Sequence, residues 1–210
     1  MVTVQGLSLP SASSSDSSPA PTSWNGFSFH YGSEVLPILA VDTTPLTYAN
    51  FVVQFPDDLT PGATPLSLDL FSNQTSIAST TLFGQIATNC LGLADLAAVS
   101  KKLDGTPVSP TNPVRSGDHI LISLIGFGAV NPSVPPGQLP SQSITATPVI
   151  PITAYIDGKP ATVVRAAMST TRIGLLDVDI QVPEIRSGEQ LLGVVQGDSE
   201  IDVIPVYVQN

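Results

Sequence analysis

Apolar and polar residues alternate with a period of two along much of the chain. The clearest case is the segment 119–125, an apolar run between a Ser-Gly-Asp turn and a Gly-Phe-Gly exit. Runs of this kind, bounded by Gly, Pro and Asn, predict short β-strands. Helix-forming residues are scarce beside Val, Ile, Thr, Ser and Pro, so the predicted fold class is all-β. Further strands are predicted at residues 2–5, 27–31, 35–41, 46–55, 66–71, 77–83, 96–101, 149–156, 161–167, 174–182, 191–196 and 201–208.

An internal repeat organises these strands. Residues 29–70 align with residues 155–196 at an offset of 126 or 127. Apolar alternation alone would be weak support, but Gly, Thr-Thr and Gln-x-Pro positions also fall in register, which predicts two units of related design. The matched positions are Gly32 with Gly158, Thr43-Thr44 with Thr170-Thr171, Gln54-Phe55-Pro56 with Gln181-Val182-Pro183, and Gly62 with Gly188.

The two predicted units differ in their number of strands. Residues 91–210 contain seven, the number in a minimal immunoglobulin-like sandwich. Residues 24–90 contain the last five of these, preceded by an N-terminal strand and a Ser/Pro-rich tether in residues 1–23. That N-terminal strand aligns with the strand at 119–125, so nothing aligns with the leading strand at 96–101. We therefore predict two tandem immunoglobulin-like β-sandwich domains, the first lacking one edge strand.

A missing edge strand has a direct functional implication. It leaves backbone N–H and C=O groups unpaired, which makes the sheet edge a template for a strand from another chain. Either the chain is a trimmed piece of a longer one, or another molecule supplies the strand. The N-terminal strand lies on a flexible tether, and its apolar residues Val2, Val4, Leu7 and Leu9 are the candidate inter-subunit residues. These features predict a homo-oligomer or polymer, a fibre or surface-layer-like protein, that assembles by β-strand complementation.

Charge and cysteine content narrow the partners and the compartment. The chain has 17 acidic and 7 basic residues, for a net charge of −10, and would repel nucleic-acid phosphates. It has neither a polybasic patch nor an apolar run long enough for a membrane span. Its single cysteine, Cys90, excludes an intrachain disulfide, and its Ser/Thr/Pro-rich, Lys-poor composition is typical of extracellular or cell-surface proteins. The start of the chain is too polar and its apolar run too short for a signal peptide, so an exported protein would be represented here in mature or trimmed form.

No residues were found that predict catalysis, a cofactor or a metal. Asp177 and Asp179 lie ~7 Å apart on one face of a strand, a spacing compatible with acid/base chemistry or Ca²⁺, but a solvated outer face is favoured. His30 and His119 fall in different units without a Gly-x-Ser-x-Gly motif, so they predict no catalytic triad, and with Cys90 they form no zinc pattern. Structural roles are predicted for both histidines, and a small buried hydrophobe for Cys90.

Two further features leave binding open as the alternative function. The loop 130–143 could recognise a surface glycan or another cell-surface partner, which would make the chain an adhesion module. An aromatic cluster after the tether could form a sugar platform, although core packing is favoured for it. Asn73-Gln74-Thr75 satisfies the glycosylation sequon, for which coincidence is favoured. The cluster consists of Trp24, Phe27, Phe29 and Tyr31.

Residues 96–210 carry a family resemblance. They resemble an uncharacterised β-sandwich domain found at the C-termini of many secreted acidobacterial proteins, whereas the first half resembles it only loosely. The resemblance implies an extracellular immunoglobulin-like module and no catalytic residues. The chain departs from the family in length, because members usually append this domain to large proteins. The matching segments are Ala97-Ala98-Val99, Asp104-Gly105, Asn112-Pro113, Ser116-Gly117-Asp118, Gly126-Phe127-Gly128-Ala129-Val130-Asn131-Pro132, Asp157-Gly158-Lys159-Pro160-Ala161 and Val178-Asp179-Ile180-Gln181-Val182-Pro183.

Overall fold

A computed structural model describes residues 2–5, 13–14, 18–42, 48–56, 59, 62–87, 89–94 and 100–209. Every regular element in these residues is a β-strand, which confirms the predicted all-β class. The described residues contain no helix that could cross a membrane. The chain divides into two compact units, the first with residues 1–87, 134–139 and 170–174 and the second with residues 88–133, 140–169 and 175–210.

The first unit is built from two four-stranded sheets, in the orders β1-β6-β5-β2 and β4-β3-β7-β8. Its core is one apolar cluster to which both sheets contribute. Phe29 of one sheet lies 4.9 Å, centroid to centroid, from Phe51 of the other, so the sheets pack face to face as a sandwich. The strands are β1 (Val2–Gln5), β2 (Ser13–Ser14), β3 (Phe27–Tyr31), β4 (Glu34–Val35), β5 (Ile38–Asp42), β6 (Tyr48–Val53), β7 (Gly62–Ser72) and β8 (Thr75–Ile86).

The second unit repeats the layout of the first, except that its strand β15 is continuous where the first unit has the two strands β4 and β5. β15 pairs with β14 through its first residues and with β16 through the rest, so it belongs to both layers of the path β10-β11-β16-β15-β14-β17-β18. The strands are β9 (Gly92–Leu93), β10 (Lys101–Lys102), β11 (His119–Ile125), β12 (Val130–Asn131), β13 (Thr147–Pro148), β14 (Ile152–Ile156), β15 (Lys159–Met168), β16 (Leu176–Gln181), β17 (Gly188–Gln196) and β18 (Ser199–Val208).

The strand registers support the internal repeat. β1 pairs with β6 so that Val2 lies opposite Phe51, and β11 pairs with β16 so that Ile122 lies opposite Val178. Phe51 and Val178 are equivalent in the repeat, so β1 is the counterpart of β11. A β-bulge also recurs, between Ile38 and Ala40 in β5 and at the corresponding place in β15. A bulge adds one residue to one strand only, so its recurrence supports a common design.

The registers correct the predicted alignment by one residue in the first hairpin. Tyr31 pairs with Glu34, and Ile156 pairs with Lys159, so the residue equivalent to Gly32 is Asp157 and not Gly158. Gly32 and Asp157 both adopt positive φ, at 59° and 52°. Asp tolerates the left-handed region better than most residues, so a glycine is not needed at this turn position.

Other strand bounds also differ from the prediction. The strand predicted at 35–41 is interrupted at Pro37, which has no N–H to donate to a ladder, whereas β15 has Thr162 there and continues. β7 and β8 are longer than predicted, because the pairing continues to both ends of their hairpin. The predicted strand at 96–101 lies largely outside the described residues, and β9 and β10 flank it. Residues 134–139 and 170–174, which lie within the predicted second unit, belong to the first compact unit.

Candidate interaction site

The second unit shows how one side of this sandwich is closed. β11 pairs on its outer edge with two short strands, β9 and β10. Leu93 lies opposite Leu124, and Lys102 lies opposite Ile120, both in antiparallel register. The leading segment of the unit, residues 89–114, therefore supplies the hydrogen-bonding partner that the β11 edge requires.

The same leading segment covers β18, the neighbouring edge of the other layer. The Leu91 N–H donates to Ser199 Oγ at 2.9 Å, and Ser100 Oγ donates to the Pro205 carbonyl at 3.3 Å. Val114 forms a parallel bridge with Val208, its N–H donating to the Tyr207 carbonyl at 2.9 Å. Beneath this cover the inward residues of β18 are fully buried, with Ile204 and Val206 both 0% exposed.

Among the described residues of the first unit, no strand lies on the corresponding side of β1. β1 is a terminal strand of its sheet, and within the described part of the chain it pairs only with β6. Its counterpart β11 has a partner on both edges. The outer edge of β1 therefore presents the backbone groups that β9 and β10 satisfy in the second unit. We call this edge, together with the strand β8, the open side.

β8 shows the second consequence of the missing cover, because every residue from 75 to 81 is exposed. Ala78 lies opposite Leu70, and Thr80 lies opposite Leu68, so both share the inner face with buried residues of β7. Counted from the hairpin turns, where Ser72 pairs with Thr75 and Gln196 with Ser199, Thr80 is equivalent to Ile204, which lies opposite Leu192 in the second unit. This register differs by two residues from the predicted match of Gly62 with Gly188. Along residues 75–81, the core therefore covers the inner face of β7 but not that of β8.

The open side is also free of charge. Neither β1 (VTVQ) nor β8 (TSIASTTLFGQI) contains an ionisable residue, in a chain with 24 Lys, Arg, Asp and Glu in all (7 and 17). In the second unit, the edge strand β10 of the leading segment instead consists of Lys101 and Lys102. Charged residues on edge strands, lysine above all, oppose pairing with other chains. The open side has no such protection.

The predicted inter-subunit residues are placed only in part. β1, with Val2 and Val4, pairs with β6 of its own chain, opposite Phe51 and Ala49. Leu7 and Leu9 lie outside the described residues. Ser13 and Ser14 pair with β5, at the far edge of the same sheet. Exchange of the N-terminal strand between copies stays a prediction, and within one chain the open edge lies beyond β1.

The outer face of the second unit holds the predicted carboxylate pair. His119 Nδ1 lies 2.8 Å from Asp179 Oδ1, and Ser123 Oγ donates to Asp177 Oδ1 at 2.8 Å. Each carboxylate thus has its own partner on β11, as cross-strand polar pairs do on a solvated face. Ser123 and His119 are four residues apart on one strand, ~13 Å by the strand rise, so they cannot share a proton. The geometry provides no Ser-His-Asp relay.

His30 and the aromatic cluster lie in or against the first core. His30 Nε2 is 3.0 Å from Ser28 Oγ, and its ring packs against Phe71 at 4.2 Å between centroids. Phe27 and Phe29 are buried, while Trp24 packs edge-on against Phe51 at 6.0 Å. These contacts favour the structural role over a sugar platform.

The prediction for Cys90 is wrong, because the cysteine is exposed. Its N–H donates to the Gly126 carbonyl at 2.7 Å, so the backbone is held at the junction and the side chain faces solvent. Asn73 is exposed at the tip of the β7–β8 hairpin with φ of +47°. No group of three His, Cys, Asp or Glu residues in the described ranges is arranged to hold a metal ion.

The loop proposed for adhesion is held by hydrogen bonds within the first unit. The Gly137 N–H donates to Gln54 Oε1 at 2.9 Å, and the Gly137 carbonyl accepts from the Ala20 N–H at 2.7 Å. Beside it lies a shallow cavity of about 430 Å³, lined by prolines, Glu34 and the loop residues Pro136 and Gln138. The cavity contains one ionisable side chain, and the aromatic cluster does not line it.

Two pKa values depart from their ordinary range in exposed positions. The Thr106 hydroxyl and N–H donate to Asp104 Oδ1 at 2.6 and 2.9 Å, and these bonds lower the pKa of the Asp104 carboxyl. A hydrogen bond from Tyr207 to Glu189 raises the pKa of the Tyr207 phenol. Both shifts arise from local contacts on strand ends and turns, and neither indicates a reactive group.

Comparison with known proteins gives structural likeness only. No family model matches the chain, and no curated protein matches it. Domains 4–9 of the surface layer protein SbsC align over 88% of this chain and 22% of that one, with 11% identity and a TM-score of 0.29. A β-glycosidase from Bacteroides vulgatus aligns over 88% and 21%, with 14% identity and a TM-score of 0.30. The C-terminal domain of the Streptococcus agalactiae AgI/II polypeptide BspA aligns over 78% and 63%, with 12% identity and a TM-score of 0.26.

The chain thus spans less than a quarter of the length of the first two structures. Surface-layer and streptococcal AgI/II polypeptide domains occur among these neighbours, and so does a β-glycosidase. Scores near 0.3 carry no functional argument to this chain.

Proposed function

We propose that this chain is a non-enzymatic structural protein of the cell exterior that self-assembles by β-strand addition at the open side of its first unit. The observation that carries the proposal is the contrast between equivalent positions, Thr80 exposed and Ile204 fully buried. The same arrangement of strands thus occurs twice in the chain, with the sheet edge covered in the second unit and uncovered among the described residues of the first. A partner strand would supply to the first unit what the leading segment supplies to the second.

The energetics favour strand addition over a bare solvent edge. A strand placed beyond β1 would pair its unpaired backbone groups and cover the inner face of β8. Each net hydrogen bond contributes about 0.5–1.5 kcal/mol, and burial of apolar surface adds about 25 cal/mol per Å². The net charge of −10 keeps copies apart elsewhere on the surface, so association is directed to the uncharged edge.

The experiment compares two lysine pairs on the same strand. Ala78→Lys with Thr80→Lys places charges on the inner face of β8, whereas Ser79→Lys with Thr81→Lys places them on the outer face. All four residues are exposed, so all four substitutions should cost the isolated fold less than about 0.5 kcal/mol each. Solution mass is measured from nanomolar to high micromolar concentration, and electron micrographs are taken of the same samples.

Wild type and the outer-face variant should grow in mass with concentration, and the inner-face variant should stay monomeric. A wild-type protein that is monomeric throughout, or equal association of the two lysine variants, would sink the proposal. Deleting residues 1–22 is a less selective test, because it removes β1 and β2 from the sheet.

An adhesion module remains the second candidate function, favoured by the cavity beside Pro136 and Gln138. A glycan array that gives a clear signal, lost when residues 134–139 are replaced by a short Gly-Ser linker, would support it. The absence of any signal from the intact protein would remove this candidate.

A further inference from the structure

We infer that the open side receives a single extended polypeptide segment, antiparallel to β1 and lying under β8, with small or apolar side chains facing inward. This inference rests on the proposed function, because it specifies the chemistry of the strand that the open side accepts. The folded edge of a second copy and a glycan chain are the competing occupants.

The direction of the segment follows from the second unit. β9 and β10 both run antiparallel to β11, and β11 is the counterpart of β1. Leu93 lies opposite Leu124 and Gly92 opposite Ile125, residues that correspond in the repeat to Val4 and Gln5. An incoming segment in the same register would thus place one inward residue opposite Val4.

The burial pattern marks where cover is missing. Leu68 and Leu70 of β7 are buried, while their cross-strand neighbours Thr80 and Ala78 on β8 are exposed. In the second unit the leading segment, a single stretch of chain, lies along the β11 edge and bonds to β18.

We assign the open side to a single segment because one stretch of chain supplies both β9 and β10 at the equivalent edge of the second unit. The folded edge of a second copy is tested against it below.

The inward side chains of the segment follow from its surroundings. The open side offers no ionisable residue, so a charge buried against it would have no partner. In the second unit, the buried residues among the described part of 91–102 are Leu91 and Ser100, 9% and 0% exposed. Both lie against the β18 edge, through Ser199 and Pro205. We therefore expect the segment that fills the open side of the first unit to present one apolar and one small polar residue inward.

The probe is a fluorescent synthetic peptide with the sequence of residues 91–102, added to the full-length protein. The protein's own copy of this segment is tethered at millimolar effective concentration, so a micromolar peptide does not displace it from the second unit. The control peptide carries Asp in place of Leu91 and Ser100. Binding is followed by anisotropy, and hydrogen exchange of the Val2–Gln5 amides locates the site.

The wild-type peptide should bind and slow exchange in Val2–Gln5, and the control peptide should bind at least about tenfold more weakly. Ala78→Lys with Thr80→Lys should weaken binding about tenfold or more, and Ser79→Lys with Thr81→Lys about twofold or less. No binding, equal binding by the two peptides, or equal binding by the two lysine variants overturns the inference. So does a peptide-resistant dimer whose Val2–Gln5 amides are already protected, because its occupant is the folded edge of a second copy.

The two experiments distinguish a failure of the proposed self-assembly from a failure of the inferred peptide binding. Peptide binding by a protein that stays monomeric on its own supports the inference and refutes self-assembly. Concentration-dependent growth without peptide binding supports self-assembly and overturns the inference.

Discussion

Alanine at Ile204 and at Thr80 compares the closed and the open side at equivalent positions of the two units. Ile204 faces inward on β18 opposite Leu192, and Thr80 faces inward on β8 opposite Leu68. Each substitution shortens a side chain that shares the inner face with a buried leucine. The difference between the two losses in free energy of unfolding therefore measures how much better β18 is covered than β8.

The expected magnitudes follow from burial. Ile204 is 0% exposed, and Ile→Ala in a packed core costs about 2–5 kcal/mol in lost transfer energy and residual cavity. Thr80 is exposed, so Thr80→Ala should change the free energy of unfolding by no more than about 0.5 kcal/mol. As a positive control in the first unit, Leu70→Ala removes a side chain only 6% exposed and should also cost about 2–5 kcal/mol.

Urea unfolding with two probes separates the units. Trp24 is the only tryptophan and packs on Phe51 in the first core, so its emission reports the first unit. Far-UV circular dichroism reports both units. With a slope near 2 kcal/mol per molar urea, a cost of about 3 kcal/mol moves a midpoint by about 1.5 M. Ile204→Ala should move the second-unit transition, Leu70→Ala the Trp24 transition, and Thr80→Ala neither.

The reasoning is refuted if Thr80→Ala costs more than about 1 kcal/mol, because β8 would then be covered within a single chain. It is equally refuted if Ile204→Ala costs less than about 1 kcal/mol, because the leading segment would then not complete the second core. Measurements at low protein concentration exclude cover by another copy.

Two further predictions concern the second unit. Gly126→Ala should prevent stable folding of the second unit, because a Cβ there would overlap the Cys90 carbonyl oxygen. Gly105→Ala meets open space and should cost only about 1 kcal/mol for its positive φ. Circular dichroism of the two variants measures their stability, and equal stability would contradict the steric argument. Thr106→Val should raise the pKa of Asp104 toward its ordinary value of 3.8, because the largest bond that lowers it is removed. Since the folded-state pKa is below the unfolded one, the stabilisation by Asp104 is present above the unfolded pKa and is lost as the pH falls through the folded value. An unchanged carboxyl titration by NMR in Thr106→Val would contradict this cause.

The sequence was sufficient for the fold class and the design of the repeat. Alternation in the 119–125 segment and in its counterpart at the N-terminus predicted β11 and β1, because a period of two and flanking turn residues are local signals. The deficit of the first unit was also visible as a count of strands. Asp177 and Asp179 were expected on a solvated face, and their pairing with β11 fits that expectation.

Features that depend on tertiary contacts were not visible in the sequence. The exposure of Cys90 follows from a backbone hydrogen bond to Gly126, which no local pattern encodes. The place of residues 134–139 in the first unit depends on their contacts with Ala20 and Gln54, distant in sequence. The inner face of β8 was also missed, although one signal existed. In the structural register Thr80 stands where Ile204 stands, and a polar residue at a core position marks a face that the core does not reach.

The bulge shared by β5 and β15 bears on the history of the chain. A bulge shifts the register of everything after it, so two unrelated strands have little reason to acquire one at the same position. We hypothesise that one ancestral domain, already bulged, was duplicated. Single-unit relatives whose equivalent strand lacks the bulge would contradict this order of events. On this account the bulge is older than the division of the chain into two units.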